Sequence, residues 1–384
     1  MEPSLPGRIR GIKPFLVMDI LEHARQLEAT GREVIHLEVG EPDFDSPPAA
    51  VRAAQAALAG GRTHYTTALG LPELREAVAD HYNRAYGLSL PASRVAVTLG
   101  TSPGMMMLFA LLLEEGDEVI LPDPHYACYP SFILSAGGVP VRAPAGAEQG
   151  FILRAPEVRR RITPRTRAVL INSPSNPTGS RLPREELEAL ASLGVPLVSD
   201  EIYHGLSYGE PDHSALEYNP DAFVINGFSK YFAMTGWRLG YLILPARYVR
   251  PLEILQQNYF VSPNPFVQLG GVAALRECVP DAEQMRAVYG ERRKVMLRCL
   301  REIGLAIPQE PDGAFYAFAD ARAWGEDSLA LAREILEATG VAVAPGADFG
   351  PGGEGHLRFS YCNSTENIEK GLARVGDYLK GRSR

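Results

Sequence analysis

Residues 167–179 read RAVLINSPSNPTG. Four apolar residues, Ala168 to Ile171, stop at once in a cluster of Asn, Ser, Pro and Gly, the pattern of a short strand bounded by a turn. One such run is equally compatible with a piece of buried helix. Repetition decides the matter: RVAVTLG (94–100), DEVILP (117–122), VPLVSD (195–200) and AFVING (222–227) repeat the pattern, with helical periodicity between them. Strands this apolar are buried on both faces, which predicts an α/β layer structure with a mainly parallel central sheet and helices on both faces.

The chain has 384 residues, beyond the size at which one hydrophobic core stops growing, so two domains are expected. Outside the strand–helix alternation, MDILEHARQLEATG (18–31) places Ile20, Ala24 and Leu27 at helical spacing. Residues 281–302 form a long charged helical pattern. GAFYAFAD, VAVAPG and HLRFSYC then read as strands, and NIEKGLARVGDYLK as an amphipathic helix. The expected division is an N-terminal arm with the first part of a small domain (1–45), a large domain (46–285) and a C-terminal, smaller α+β domain (286–384). RAPAGAEQG (142–150) reads as a surface loop.

Composition excludes several functions. A net charge of -8 leaves no electrostatic footprint for nucleic acid or an anionic membrane. The longest apolar run, MMMLFALLL (105–113), falls far short of the ~20 residues that span a bilayer. The four cysteines show no C-x-x-C spacing, as suits a reducing cytoplasm. The eight histidines lack ligand spacing and no metal site is expected; His125 and His204 read as local hydrogen-bonding residues. GPGGEG (350–355) matches G-x-G-x-x-G, but a strand-like run follows where a dinucleotide site needs a helix.

In an open parallel sheet the ligand lies beyond the carboxyl ends of the strands. RVAVTLG is followed by Thr101, Ser102 and Pro103, a helix start whose free N–H groups favour an anion, or simply a cap. Asn176 follows RAVLIN, and Asp200 and Tyr203 follow VPLV. Beyond AFVIN come Ser229, Lys230 and, eight residues on, Arg238. Each is weak alone; caps and turns do not predict the set. The lysine is the informative member. Only Lys13, Lys230, Lys294, Lys370 and Lys380 interrupt a chain that otherwise uses arginine for its 38 basic residues. A desolvated amine can lose its proton and attack a carbonyl, which a guanidinium cannot do.

LEVGEPDF, THYTTALGLPELREAV, SPSNPTG, SDEIYHG, GFSKYFAMTGWRLGY, PDGAFYAF and HLRFSYCNS occur together in one order, and in this the chain resembles the class I (class I/II) aminotransferases, pyridoxal-phosphate enzymes of fold type I. The resemblance implies that Lys230 forms an aldimine with pyridoxal 5'-phosphate and shuttles the substrate α-proton, that Asp200 pairs with the pyridine nitrogen, and that Tyr203 and Asn176 bond the phenolic oxygen. Tyr126 would stack on the ring. Gly100, Thr101, Ser102, Ser229 and Arg238 would hold the phosphate, and Arg358, Asn176 and the backbone at Gly40 the substrate carboxylate. Tyr65 would reach the partner's phosphate in a homodimer. The implied activity is ping-pong transfer of an amino group from an L-amino acid to a 2-oxo acid through pyridoxamine phosphate. A β-eliminating carbon–sulfur lyase and a non-catalytic regulatory protein are the rival outcomes. Aspartate-using members tend to carry lysine where this chain has Ser102, and the apolar Ile12, Phe15 and Phe260 are expected near the substrate entrance.

Overall fold

The computed structural model describes residues 6–381. Its centre is a seven-stranded sheet in the order Val95–Thr98, Gly240–Ile243, Phe223–Gly227, Leu197–Asp200, Thr166–Asn172, Glu118–Asp123, Val139–Pro144. Every neighbouring pair is parallel except that Gly240–Ile243 runs antiparallel to both of its neighbours. Alternate residues enter separate apolar clusters: Ile120, Val169, Ile171, Leu197 and Val224 pack on one face, and Val119, Leu121, Leu170, Val198 and Ile225 on the other. Period-two burial on both sides explains why these strands lack the polar alternation of a half-solvated sheet.

Two strands escape the sequence pattern. Gly240–Ile243 begins within GWRLGY (236–241) and follows closely on the short 3-10 turn Thr235–Trp237. Val139–Pro144 takes up the first residues of the expected 142–150 loop. With Pro140 and Pro144 in it, this strand stands at the sheet edge, where a missing N–H costs least.

A second, antiparallel sheet orders Ala344–Pro345, His356–Ser360 and Tyr316–Asp320, with Arg358 opposite Ala344 and Phe318. Ile35–His36 pairs in parallel with Val341–Ala342, so the N-terminal segment joins the C-terminal unit. Helix Val279–Glu302 runs unbroken through the expected border at 285/286. GPGGEG forms a short turn whose Gly352 N–H donates to Asp123 Oδ1 (2.8 Å), fastening the small unit to a strand end of the large one. Among the described residues no helix is long and apolar enough to cross a membrane, and no cluster of ligating side chains could hold a metal.

Candidate active site

Register brings the carboxyl ends of the central strands level: Asn172 lies beside Asp200, and Asp200 beside Ile225. A cavity of about 310 Å³ opens there, and Asp200, Lys230, Arg238 and Arg358 all line it.

Asp200 is 5% exposed. It accepts from the Tyr129 hydroxyl (2.7 Å) and the Ile202 N–H (3.2 Å). Burial pushes its carboxyl up to about 6, against the pull of those two hydrogen bonds. Asn172 braces the same corner, donating to the Asp200 carbonyl (2.9 Å) and accepting from the Asn176 N–H (2.8 Å).

Lys230 lies just beyond strand Phe223–Gly227, and its Nζ donates to the carbonyl of Gly40 (2.6 Å). Burial brings the amine down to about 8; the guanidinium groups of Arg358 and Arg238 act in the same direction, and Cys362 and Glu41 oppose them. About a tenth of this side chain is therefore the free, nucleophilic amine at pH 7, several hundred times the share of an ordinary lysine.

Arg238 takes a left-handed backbone conformation (φ 53°) and donates to the Thr235 carbonyl (2.9 Å). Its guanidinium lies on Gly100, where a Cβ would come within 2.7 Å of Nη2. Gly100 itself has φ +95°, so both the close approach and the backbone require glycine. Helix Thr101–Leu112 starts at this point, and Thr101, Ser102 and Ser229 share the cavity wall.

Arg358, 2% exposed, comes from the middle of the small sheet. It donates to Asn176 Oδ1 (2.8 Å) and to the Glu38 carbonyl. The guanidinium carbon lies 4.4 Å from the Tyr316 ring centre and 4.9 Å from that of Phe349, and Nε has no partner. Tyr203 shares a 2.8 Å hydroxyl–hydroxyl bond with Tyr316, and Tyr126 stands edge-on to Tyr129.

Most of the residues singled out in the sequence thus converge on one cavity. Tyr65 does not: it is 84% exposed and lines a separate hollow with Arg62 and His64. Of the apolar entrance candidates only Phe15 lines the cavity. Ile12 is exposed, and Phe260 packs against the apolar cluster under helix Thr101–Leu112. His204 pairs with the Tyr86 hydroxyl (2.7 Å) and His125 with the Tyr126 carbonyl (3.1 Å). Tyr129, Asn172 and Tyr316 were missed. Asn172 ends a predicted strand and was open to the same argument as Asp200; Tyr129 and Tyr316 carry no local signal.

The donor set fits pyridoxal phosphate. A buried carboxylate suits a protonated ring nitrogen, a free amine suits an aldehyde, and a guanidinium laid on a glycine at a helix start suits a phosphate.

Comparison with known proteins agrees. The family model for aminotransferase class I and II matches residues 32–375. The chain is 40% identical to the aspartate/prephenate aminotransferase of Thermus thermophilus, covering 98% of this chain and 99% of that one. It is 38% identical to the valine–pyruvate aminotransferase of Mycobacterium tuberculosis, covering 96% and 97%. A solved structure of the Thermus thermophilus aspartate aminotransferase with maleate superposes with a TM-score of 0.94 at 39% identity, over 98% and 99% of the two chains.

Proposed function

The chain belongs to the class I and II aminotransferases, pyridoxal-phosphate-dependent enzymes that transfer amino groups, and from that premise we propose that Lys230 attaches the cofactor and carries the α-proton of an L-amino acid. The observation that bears most weight is the Lys230 amine, lowered to about 8, in one cavity with Asp200 and Arg358. When bound, pyridoxal phosphate supplies a carbonyl that accepts and returns an amino group, and a ring that accepts electrons from the α-carbon.

The protein's own groups divide the remaining work. Asp200 holds a proton on the ring nitrogen as its counter-ion. Arg238, Ser229 and the helix start at Thr101 bind the phosphate. Tyr203, kept neutral by burial and bonded to Tyr316, joins Asn176 as a donor toward the ring's phenolic oxygen. Arg358, held from two sides by Asn176 and Glu38, clamps the α-carboxylate and fixes the direction of the α C–H bond. Lys230 Nζ accepts that proton and gives it back. Over the two half-reactions the donor's C–N bond is replaced by C=O with oxygen from water. The acceptor's C=O becomes C–N and its oxygen leaves as water, so the cycle has no net redox change.

We extend the proposal to a cytoplasmic homodimer. The exposed Tyr65 would complete the partner's phosphate site. Borohydride reduction of the holoenzyme followed by peptide mapping tests the core of this reading, with the label expected on Lys230. A label on Lys13, Lys294, Lys370 or Lys380 would overturn the site, and an absorbance change unmoved by every L-amino acid would overturn the reaction.

A further inference from the structure

We infer that the side-chain subsite of this cavity takes an uncharged apolar side chain, aromatic or branched aliphatic, and rejects a second carboxylate. The inference deepens the aminotransferase reading and rests on it.

The argument begins with cations. Among the described residues the cavity is lined by three: Lys230, Arg238 and Arg358. Each already has a task in the proposed reaction, so this protomer leaves none for a carboxylate at the far end of a substrate. The acidic side chain facing the remaining space is Glu41, which accepts from the Thr235 hydroxyl and would repel such a group. Lys13, the basic residue nearest Phe15 in sequence, is exposed and does not line the cavity.

Apolar side chains also line the cavity, among them Phe15, Val17, Met18 and Phe132. This wall is built into the fold. Asp348, from the small unit, accepts the N–H groups of Leu16 (2.9 Å) and Val17 (3.1 Å), fixing the first turn of helix Leu16–Ala29. Phe15 then stands edge-on to Tyr126, with ring centres 6.1 Å apart, and Val17 is buried with Phe318 and Phe349. Phe349 is also the ring against Arg358, so one small cluster supports both the carboxylate clamp and the apolar wall. Met18 remains 49% exposed beside the cavity, an apolar surface that a substrate side chain would cover. A carboxylate placed there would lose its water without gaining a partner. An aromatic or branched group would gain burial. Donor and acceptor use the subsite in turn, so the acceptor is likewise a 2-oxo acid with a single carboxylate.

Two measurements on the holoenzyme decide the question. In single turnover, kcat/KM for L-phenylalanine and L-leucine should exceed that for L-aspartate and L-glutamate by at least about a hundredfold, the range one mismatched group produces in an apolar pocket. In calorimetry, 3-phenylpropionate should bind at least about tenfold more tightly than succinate or maleate. Met18→Arg supplies the missing cation at the rim and should move that binding ratio toward succinate by about tenfold or more. L-aspartate used as well as L-phenylalanine, or succinate bound as tightly as 3-phenylpropionate, would overturn the inference while leaving the aminotransferase reading intact. If no amino acid reacts, that reading fails, and the binding ratio still decides the character of the pocket.

Discussion

Replacing Asp200 by asparagine should make the cofactor-free protein more stable and the enzyme far less active. The side chain is buried, and its carboxyl is raised from 3.8 to about 6 because burial outweighs the hydrogen bonds from Tyr129 and Ile202. At about 1.4 kcal/mol per pH unit, an ionised Asp200 costs the folded apoprotein about 3 kcal/mol. Because the folded value is the higher one, the penalty is absent below about pH 4 and complete above about pH 6. Asparagine never ionises, and its amide can still accept from one neighbour and donate to the Tyr129 oxygen. For a chain of this length about 3 kcal/mol corresponds to about 4 °C in melting temperature. The variant apoprotein should therefore melt about 4 °C above the wild type near pH 7.5, with the gap roughly halved near pH 5. Saturation with pyridoxal phosphate should reverse the order, because only the carboxylate pairs with a protonated ring. Loss of a buried charge partner, about 3–5 kcal/mol, should lower kcat/KM by about 10²–10⁴-fold. Differential scanning fluorimetry at two pH values, with and without cofactor, reads the stability terms, and steady-state kinetics on the holoenzyme reads the activity. A variant apoprotein that melts below the wild type by the same margin at both pH values would refute the claim that Asp200 is a desolvated charge awaiting a cation.

Three further outcomes follow from the same geometry. With Lys230 lowered to about 8, its free-amine fraction rises about tenfold between pH 7 and 9, so stopped-flow attachment of pyridoxal phosphate to the apoprotein should rise by that factor and level off; a rate still climbing beyond pH 10 would mean the amine is not desolvated. Arg358→Lys replaces a fork held between two rings and two acceptors by a point charge, and kcat/KM should fall about 10²-fold or more, carried largely by KM, while borohydride labelling of Lys230 persists. In Gly40→Ala the new Cβ would lie 1.9 Å from the Tyr316 hydroxyl. The ring must shift, at about 1–3 kcal/mol, so denaturant unfolding should show that loss and activity should fall with it.

What could be read from the sequence was whatever the physics writes into consecutive residues. Burial on both faces leaves no choice but branched apolar runs, so five strands of the seven-stranded sheet were legible, and the rule that polar groups at their carboxyl ends face the ligand picked out Asp200, Asn176 and Lys230. Edge strand Val139–Pro144 was hidden because its prolines, tolerable at an edge, are turn signals elsewhere. Ile12 and Phe260 show the opposite failure. An apolar residue near a site in sequence can point to solvent or into a neighbouring cluster, and only tertiary packing separates these from Phe15.

The least legible part of the site is its backbone. Arg358 donates to the carbonyl of Glu38 and Lys230 to that of Gly40, and the chain between them spans no more than about 7 Å. Leu37, next to Glu38, is bonded into the small unit on both sides, its N–H to Ala342 (3.0 Å) and its carbonyl to the Ser360 N–H (2.7 Å). The guanidinium comes from the small sheet and the amine from the loop after a strand of the large one, yet a stretch two residues long ties them together. Their separation is thereby limited by that short stretch and the two hydrogen bonds. Carbonyl oxygens carry no residue identity, so no side-chain pattern announces this ruler. It also explains why a larger residue at Gly40 carries a cost: the residue between the two tethers also packs against Tyr316, the ring over Arg358.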